Sequence, residues 1–220
     1  MPHDDLLPAR GRRATPYLYT PQETSDLMRA TVILRGSHVQ TTYRTLISLL
    51  AATGMRIGEA IGLDRDDYDA GSGMVTIRHG KFDEARDLPL HPSTVAALED
   101  YLRRDDRPRE RNTSTLLISS TGKRLRYTVV QPIFKKLLHH CGIVPRSATC
   151  RPKIHDRRHS FAVSTIVDDY RTGDPDSRVA ILSTYLGHAD PGSTYWYLSA
   201  APELLALAGD RLERHPGGHA

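Results

Sequence analysis

The stretch from His38 to Thr53 constrains the fold more than any other. Its apolar residues Val39, Tyr43, Leu46, Ile47 and Leu50 recur at i, i+4, i+7, i+8 and i+11. That spacing lays one apolar stripe along a helix. Gly54 follows, where a left-handed C-terminal cap is expected. Upstream, TPQE at 20–23 sets Thr20 as N-cap, Pro21 at the first helical position and Glu23 as the reciprocal capping-box partner. A helix is therefore predicted from there to about Leu34.

The rest of the chain follows the same logic. Residues 74–78 (MVTIR) and 86–90 (RDLPL) read as short strands, and HGKFDEA between them makes a hairpin. Pro89 places its strand at an edge, because proline has no N–H to give a ladder. Apolar spacing predicts helices at about 92–104, 127–139, 156–169 and 177–186, and a last amphipathic helix from Pro202. The expected class is α+β, mostly α-helical with a small antiparallel β-sheet. Residues 1–19 are polar and basic and read as a linker or arm. The expected domain covers 20–214, with a disordered tail at 215–220.

Composition enters as an exclusion. Hydrophobic residues make up 39% and charged residues 25% of the 220, as in an ordinary globular chain. No apolar run approaches the roughly 20 residues of a membrane span. The start, MPHDDLLPARGRR, lacks the apolar core of a signal peptide. Cys141 and Cys150 are too few for a disulfide framework, which points to a reducing, cytoplasmic compartment. The net charge is only +4, but base gathers at Arg10, Arg12 and Arg13, at Lys123, Arg124 and Arg126, and at Arg151, Lys153, Arg157 and Arg158. Such clusters suit a phosphate-bearing partner. His139, His140, Cys141, Cys150, His155 and His159 form no regular pair set around one metal, so no metal is expected.

Four segments bring polar residues to element ends. TGMRIGEAIGLD (53–64) starts a short helical turn at Arg56. GKFDEARDLPL (80–90) carries Lys81 at the hairpin turn. IHDRRHSFA (154–162) places His155 and Arg158 three apart, on one helix face. LGHADPGSTYWYLSA (186–200) contains His188, Tyr195 and Tyr197. Two arginines, a lysine, two histidines and a tyrosine suit phosphoryl transfer without a metal. Guanidiniums grip non-bridging oxygens and stabilise a pentacoordinate transition state. A lysine or histidine protonates the leaving alkoxide, and a tyrosine attacks to form a covalent intermediate. Free tyrosine, with a pKa of about 10, is only about 0.1% phenolate at neutral pH, so it needs such neighbours. Each residue has an ordinary structural reading by itself; all of them together in this order do not.

In this order the segments resemble the boxes of the tyrosine recombinases, the phage-integrase family. TGMRIGE resembles the first-arginine box, GK with R-x-L-P-L the lysine hairpin, HDRRHSFA the H-x-x-R box, and LGH followed by a tyrosine the nucleophile box. The resemblance covers about residues 16 to 213. It implies the catalytic-domain fold of that family, shared with DNA breaking-rejoining enzymes. It also implies site-specific breakage and rejoining of double-stranded DNA through a 3′-phosphotyrosyl link, with no cofactor. Carried over, Arg56 and Arg158 clamp the scissile phosphate, Lys81 is the general acid, and His155 and His188 assist. The nucleophile lies nine residues after the L-G-H histidine, which is Tyr197. Tyr195 stands two residues earlier, about 200° away on a helix. Glu59 is implied as an orienting residue. PGSTYWYLSA departs from the commoner Thr-Thr form of the last box, although the spacing survives.

The resemblance also frames the partners: a tetrameric homo-oligomeric synapse on DNA, a partner recombinase or DNA-bending protein, and a cytoplasmic, nucleoid-associated location. A mobile element is the expected source. The resemblance implies that the helical core-binding domain preceding the catalytic domain in full-length members is missing here, since ARGRRATPYLYT resembles the interdomain linker. Two alternatives stay open at this point: a truncated, non-catalytic DNA-binding relative working with a partner, and a type IB topoisomerase-like enzyme.

Overall fold

A computed structural model describes residues 15–78, 85–108, 114–172 and 175–187, with side chains omitted at 169–172 and 175–180. Among them are seven α-helices and a three-stranded antiparallel sheet, in the order α1 (Pro21–Ala30), α2 (Ser37–Thr53), α3 (Ile57–Gly62), β1 (Tyr68–Asp69), β2 (Met74–Ile77), β3 (Arg86–Pro89), α4 (Pro92–Leu102), α5 (Tyr127–His140), α6 (Asp156–Thr172) and α7 (Pro175–Leu186). The class is the α+β architecture expected, mostly helical. Among the described residues no helix is long and apolar enough to cross a membrane.

α1 starts as its capping box dictates. Glu23 N donates to Thr20 Oγ1 at 3.1 Å, and Thr20 N donates to the Glu23 carboxylate at 2.7 Å. α2 is the central helix, with α1, α3, α4 and α6 packed around it. Its buried face is wider than the single stripe expected, because Thr42, Thr45 and Leu49 are buried beside Tyr43, Leu46, Ile47 and Leu50. A helix with neighbours on several sides buries more than one stripe.

Gly54 ends α2 in the left-handed conformation, at φ 61°, and its N–H donates to Leu50 O at 3.1 Å. A side chain there would also meet α6, since a Cβ would lie 2.3 Å from Phe161 Cδ1. Left-handed strain of about 1–2 kcal/mol and overpacking of about 1–3 kcal/mol add. Gly54→Ala is therefore expected to destabilise the domain by about 3 kcal/mol in urea unfolding, and a loss under 1 kcal/mol would contradict this contact.

The sheet runs β1-β2-β3, with Val75 opposite Leu88 and Ile77 opposite Arg86. Val75, Ile77 and Leu88 are buried. Pro89 lies on the edge strand β3, as its missing N–H requires. β1 was not foreseen, because two residues are too few to show alternation. The hairpin loop 79–84 lies outside the described residues, as do residues 1–14 and everything from 188 onward, including the helix expected from Pro202 and the tail.

The expected arm, residues 1–19, is cut short by the fold. Tyr17 and Tyr19 are buried, with ring centroids 4.9 Å apart. Tyr19 N donates to Ser160 Oγ at 2.8 Å and its hydroxyl to Lys153 O at 3.1 Å. These partners lie more than 130 positions away, beyond the reach of local pattern. Both cysteines are free, and Cys150 Sγ donates to Pro16 O at 3.5 Å.

Candidate active site

Arg56 is the N-cap of α3. Its N–H donates to Glu59 Oε2 at 2.7 Å and its Nη1 to Glu59 Oε1 at 2.8 Å. The side chain thus folds over the first turn of its own helix, leaving Nη2 to donate to Gly187 O at 3.0 Å. Glu59 is buried and also accepts from Arg86 Nη2 at 2.7 Å. Burial pushes its carboxyl up, but bonds from Arg86 and Arg56 outweigh this and hold it below the usual carboxylate range.

Arg158 sits in the first turn of α6 and is almost fully buried. Its Nη1 donates to Gly54 O at 3.1 Å and its Nη2 to Leu186 O. A buried guanidinium is tolerable only when its donors are satisfied. The end of α7 supplies acceptors, because the last carbonyls of a helix lack intrahelical partners and carry the negative end of its dipole. Arg56 and Arg158, 102 positions apart, therefore converge on the two-residue turn Leu186–Gly187.

His155 precedes α6 on the same face and remains exposed, with its ring 5.4 Å from that of His159. Its pKa is lowered by crowding from neighbouring atoms and then by the charges of Arg158 and Arg56. Because the residue keeps solvent contact, the two guanidiniums are the firmer cause. The imidazole is neutral at neutral pH and can take up a proton.

Asp156 anchors this turn. Its carboxylate accepts from Lys153 N at 3.0 Å, and burial raises its pKa to about 6. A carboxyl whose folded pKa lies above its unfolded value of about 3.9 stabilises the fold below that value and loses this contribution as pH rises through 6. Between pH 4 and 7 the wild type is expected to lose about 2 kcal/mol relative to Asp156→Asn. Parallel urea titrations of the two proteins check this, and a stability difference that stays constant over the range would refute the assignment.

The basic clusters divide. Lys123, Arg126, Arg151 and Lys153 are exposed. Arg124 closes the end of α3, donating from Nη1 to Ile61 O at 3.3 Å and pairing through Nη2 with Asp64 at 2.5 Å. Arg157 corrects the expectation of a DNA contact. It is buried, donates to Thr24 Oγ1 at 2.6 Å and lies 5.0 Å over the Tyr19 ring, because its direction on α6 faces α1 rather than His155 and Arg158. Lys81, His188, Tyr195, Tyr197, Arg10, Arg12 and Arg13 lie outside the described residues. A cavity of about 350 Å³ borders the site through Glu59 and is otherwise lined by residues such as Gly58, Asp64, Asp66, Asp67 and Arg78; it includes neither His155 nor Arg158, and its carboxylates suit no phosphate.

The sequence model of the phage integrase family matches residues 18–203. The chain belongs to that family. Its fit extends beyond the boxes. A putative integrase/recombinase of Sinorhizobium fredii, y4rB, is 37% identical over 97% of this chain and 71% of its own length. Tyrosine recombinase XerC of Azotobacter vinelandii is 28% identical over 98% of this chain and 66% of its own. The chain thus spans about two thirds of these relatives' length. Among solved structures, XerA recombinase superposes with a TM-score of 0.68 at 23% identity, covering 98% of this chain and 69% of that one. XerH recombinase, bound to its difH substrate after cleavage, gives 0.68 at 21%, covering 90% and 54%. These likenesses establish the fold of tyrosine recombinase catalytic domains. Phage integrase family members of this kind break and rejoin DNA strands. The segments TGMRIGE and HDRRHSFA are brought together where Arg56 and Arg158 both reach the end of α7. One further residue of the hairpin motif, Arg86 of R-x-L-P-L, belongs to this site although the motif by itself assigns it no role. The signal that could have found it is alternation: two residues before the buried Leu88, it shares that residue's side of the strand.

Proposed function

We propose that this chain is a site-specific DNA recombinase, with Tyr197 as nucleophile and the scissile phosphate held by Arg56 and Arg158. The supporting observation is the convergence of these two guanidiniums on the turn Leu186–Gly187, directly before His188. Two forks from different elements, aimed at one place, can bind two non-bridging oxygens and stabilise the added negative charge of the transition state. Tyr197 gives up its phenol proton to neutral His155 as its oxygen attacks phosphorus, the phosphorus–O5′ bond breaks, and Lys81 gives its proton to the departing 5′-oxygen. The phosphodiester energy stays in the 3′-phosphotyrosyl bond, so rejoining is the reverse attack by a 5′-hydroxyl and needs no ATP. Neutral His155, together with His188, hydrogen-bonds the phosphate and takes part in proton transfer.

The partner is double-stranded DNA, contacted through exposed Lys123, Arg126, Arg151 and Lys153 and through the basic residues Arg10, Arg12 and Arg13. Four copies would form the synapse on two duplexes, with a DNA-bending protein or a second recombinase where the site demands it. A mobile element is the source this reading favours, in keeping with the Tn1549 transposon integrase, which shares the fold in complex with transposon right end DNA. The location is the cytoplasm, at the nucleoid.

The test is to mix the full chain with nicked suicide duplexes made from DNA flanking its own gene and to run a denaturing gel. A protease-sensitive shifted band whose peptide contains Tyr197 supports the proposal. Salt-sensitive binding to duplexes that other members cleave, with no adduct under any nick position, would replace it with a DNA-binding module.

A further inference from the structure

We infer that Arg86 is a positioning residue for the phosphate clamp, acting through Glu59 and tying the lysine hairpin to the turn before His188. The inference rests on the recombinase reading. Arg86 begins β3 opposite Ile77, in the register that places it on the same side as buried Val75, Ile77 and Leu88. A charge on the core side of a sheet needs a partner. Only 13% of its side chain is exposed, and Glu59, 5% exposed, meets it at 2.7 Å.

That contact does more than neutralise a buried charge. The Glu59 oxygen that Arg86 holds, Oε2, is also the oxygen that accepts the Arg56 N–H, while Oε1 takes Arg56 Nη1. One carboxylate is therefore shared between two guanidiniums, and Arg86 fixes its plane. Without Arg86, Glu59 is free to rotate and claim more of the Arg56 fork, at the expense of the phosphate. On its other side the Arg86 guanidinium lies against Gly187. A Cβ added there would stand 3.1 Å from Arg86 Nη1, and Gly187 has a φ of 65°. Gly187 O is the acceptor for Arg56 Nη2. A single side chain on the strand that follows Lys81 thus lies against both anchors of Arg56, Glu59 and Gly187, the second of which directly precedes His188.

The experiment uses the full chain in two arms. In the first, on suicide duplexes that wild type cleaves, Arg86→Ala is expected to slow single-turnover cleavage roughly 10- to 100-fold with duplex affinity unchanged, and Arg86→Lys to recover part of the loss. The double variant Glu59→Gln/Arg86→Ala should be no slower than the slower single variant, because both changes act on one link. Full additivity, or an unchanged rate in Arg86→Ala, overturns the inference. The second arm needs no DNA. In arginine-labelled protein the Arg56 Nε–H resonance should move in Arg86→Lys, a variant that keeps the charge and the fold. An unmoved resonance overturns the inference even if Arg86→Ala fails to fold. Absence of any wild-type adduct would count against the recombinase reading alone, and the resonance would still decide the role of Arg86.

Discussion

Arg158→Lys is expected to slow strand cleavage by roughly 100- to 1,000-fold, the usual loss for one donor at a developing oxyanion. The reason lies in the shape of the group. The Arg158 fork already spans two carbonyls on different elements, Gly54 O at the end of α2 and Leu186 O at the end of α7. A guanidinium does this with a rigid plane and five donors, a fork whose geometry also matches the oxygens of a phosphate. A lysine ammonium is a compact point charge that cannot reach both carbonyls and a phosphate oxygen together. Single-turnover cleavage of a suicide duplex measures the effect, with binding followed separately at fixed salt. A rate within threefold of wild type would remove Arg158 from the clamp.

The largest effect is expected at the proposed nucleophile. Tyr197→Phe deletes one oxygen and is expected to abolish the covalent adduct, because no intermediate can form without it. Tyr195→Phe should still form the adduct. The spacing after His188 separates the two tyrosines, and two positions on a helix turn a side chain by about 200°. If the adduct survives in Tyr197→Phe and disappears in Tyr195→Phe, the assignment is reversed.

The parts of this fold that were legible in advance are those written in short-range chemistry. The α1 capping box needs only Thr20 and Glu23, three positions apart, and it forms as read. The left-handed cap at Gly54 needs only the end of an apolar stripe and a residue without a Cβ. The edge position of Pro89 follows from a missing N–H. What failed was long-range. Tyr17 and Tyr19 read as part of a polar arm, yet their partners are Lys153 and Ser160. Arg157 stands in a basic run and reads as a DNA contact, yet its direction on α6 buries it against Thr24 and Tyr19. The i,i+3 rule puts Arg158 rather than Arg157 on the face of His155, but only the packing of α6 against α1 shows what Arg157 faces.

The sequence by itself determined which residue types stand at which element ends, because caps, strand alternation and motif order depend on neighbours within a few positions. It also determined the family, through boxes that keep their order and spacing. The tertiary structure decided which charges became partners. Glu59 could have paired with Arg56 alone, a choice within reach of its own helix; that it is shared with Arg86 follows from how the sheet packs beside α3. The meeting of Arg56 and Arg158 at the end of α7 required the chain to close over 102 positions, and only burial makes that contact strong: away from water, unpaired helix carbonyls and guanidinium donors must find each other.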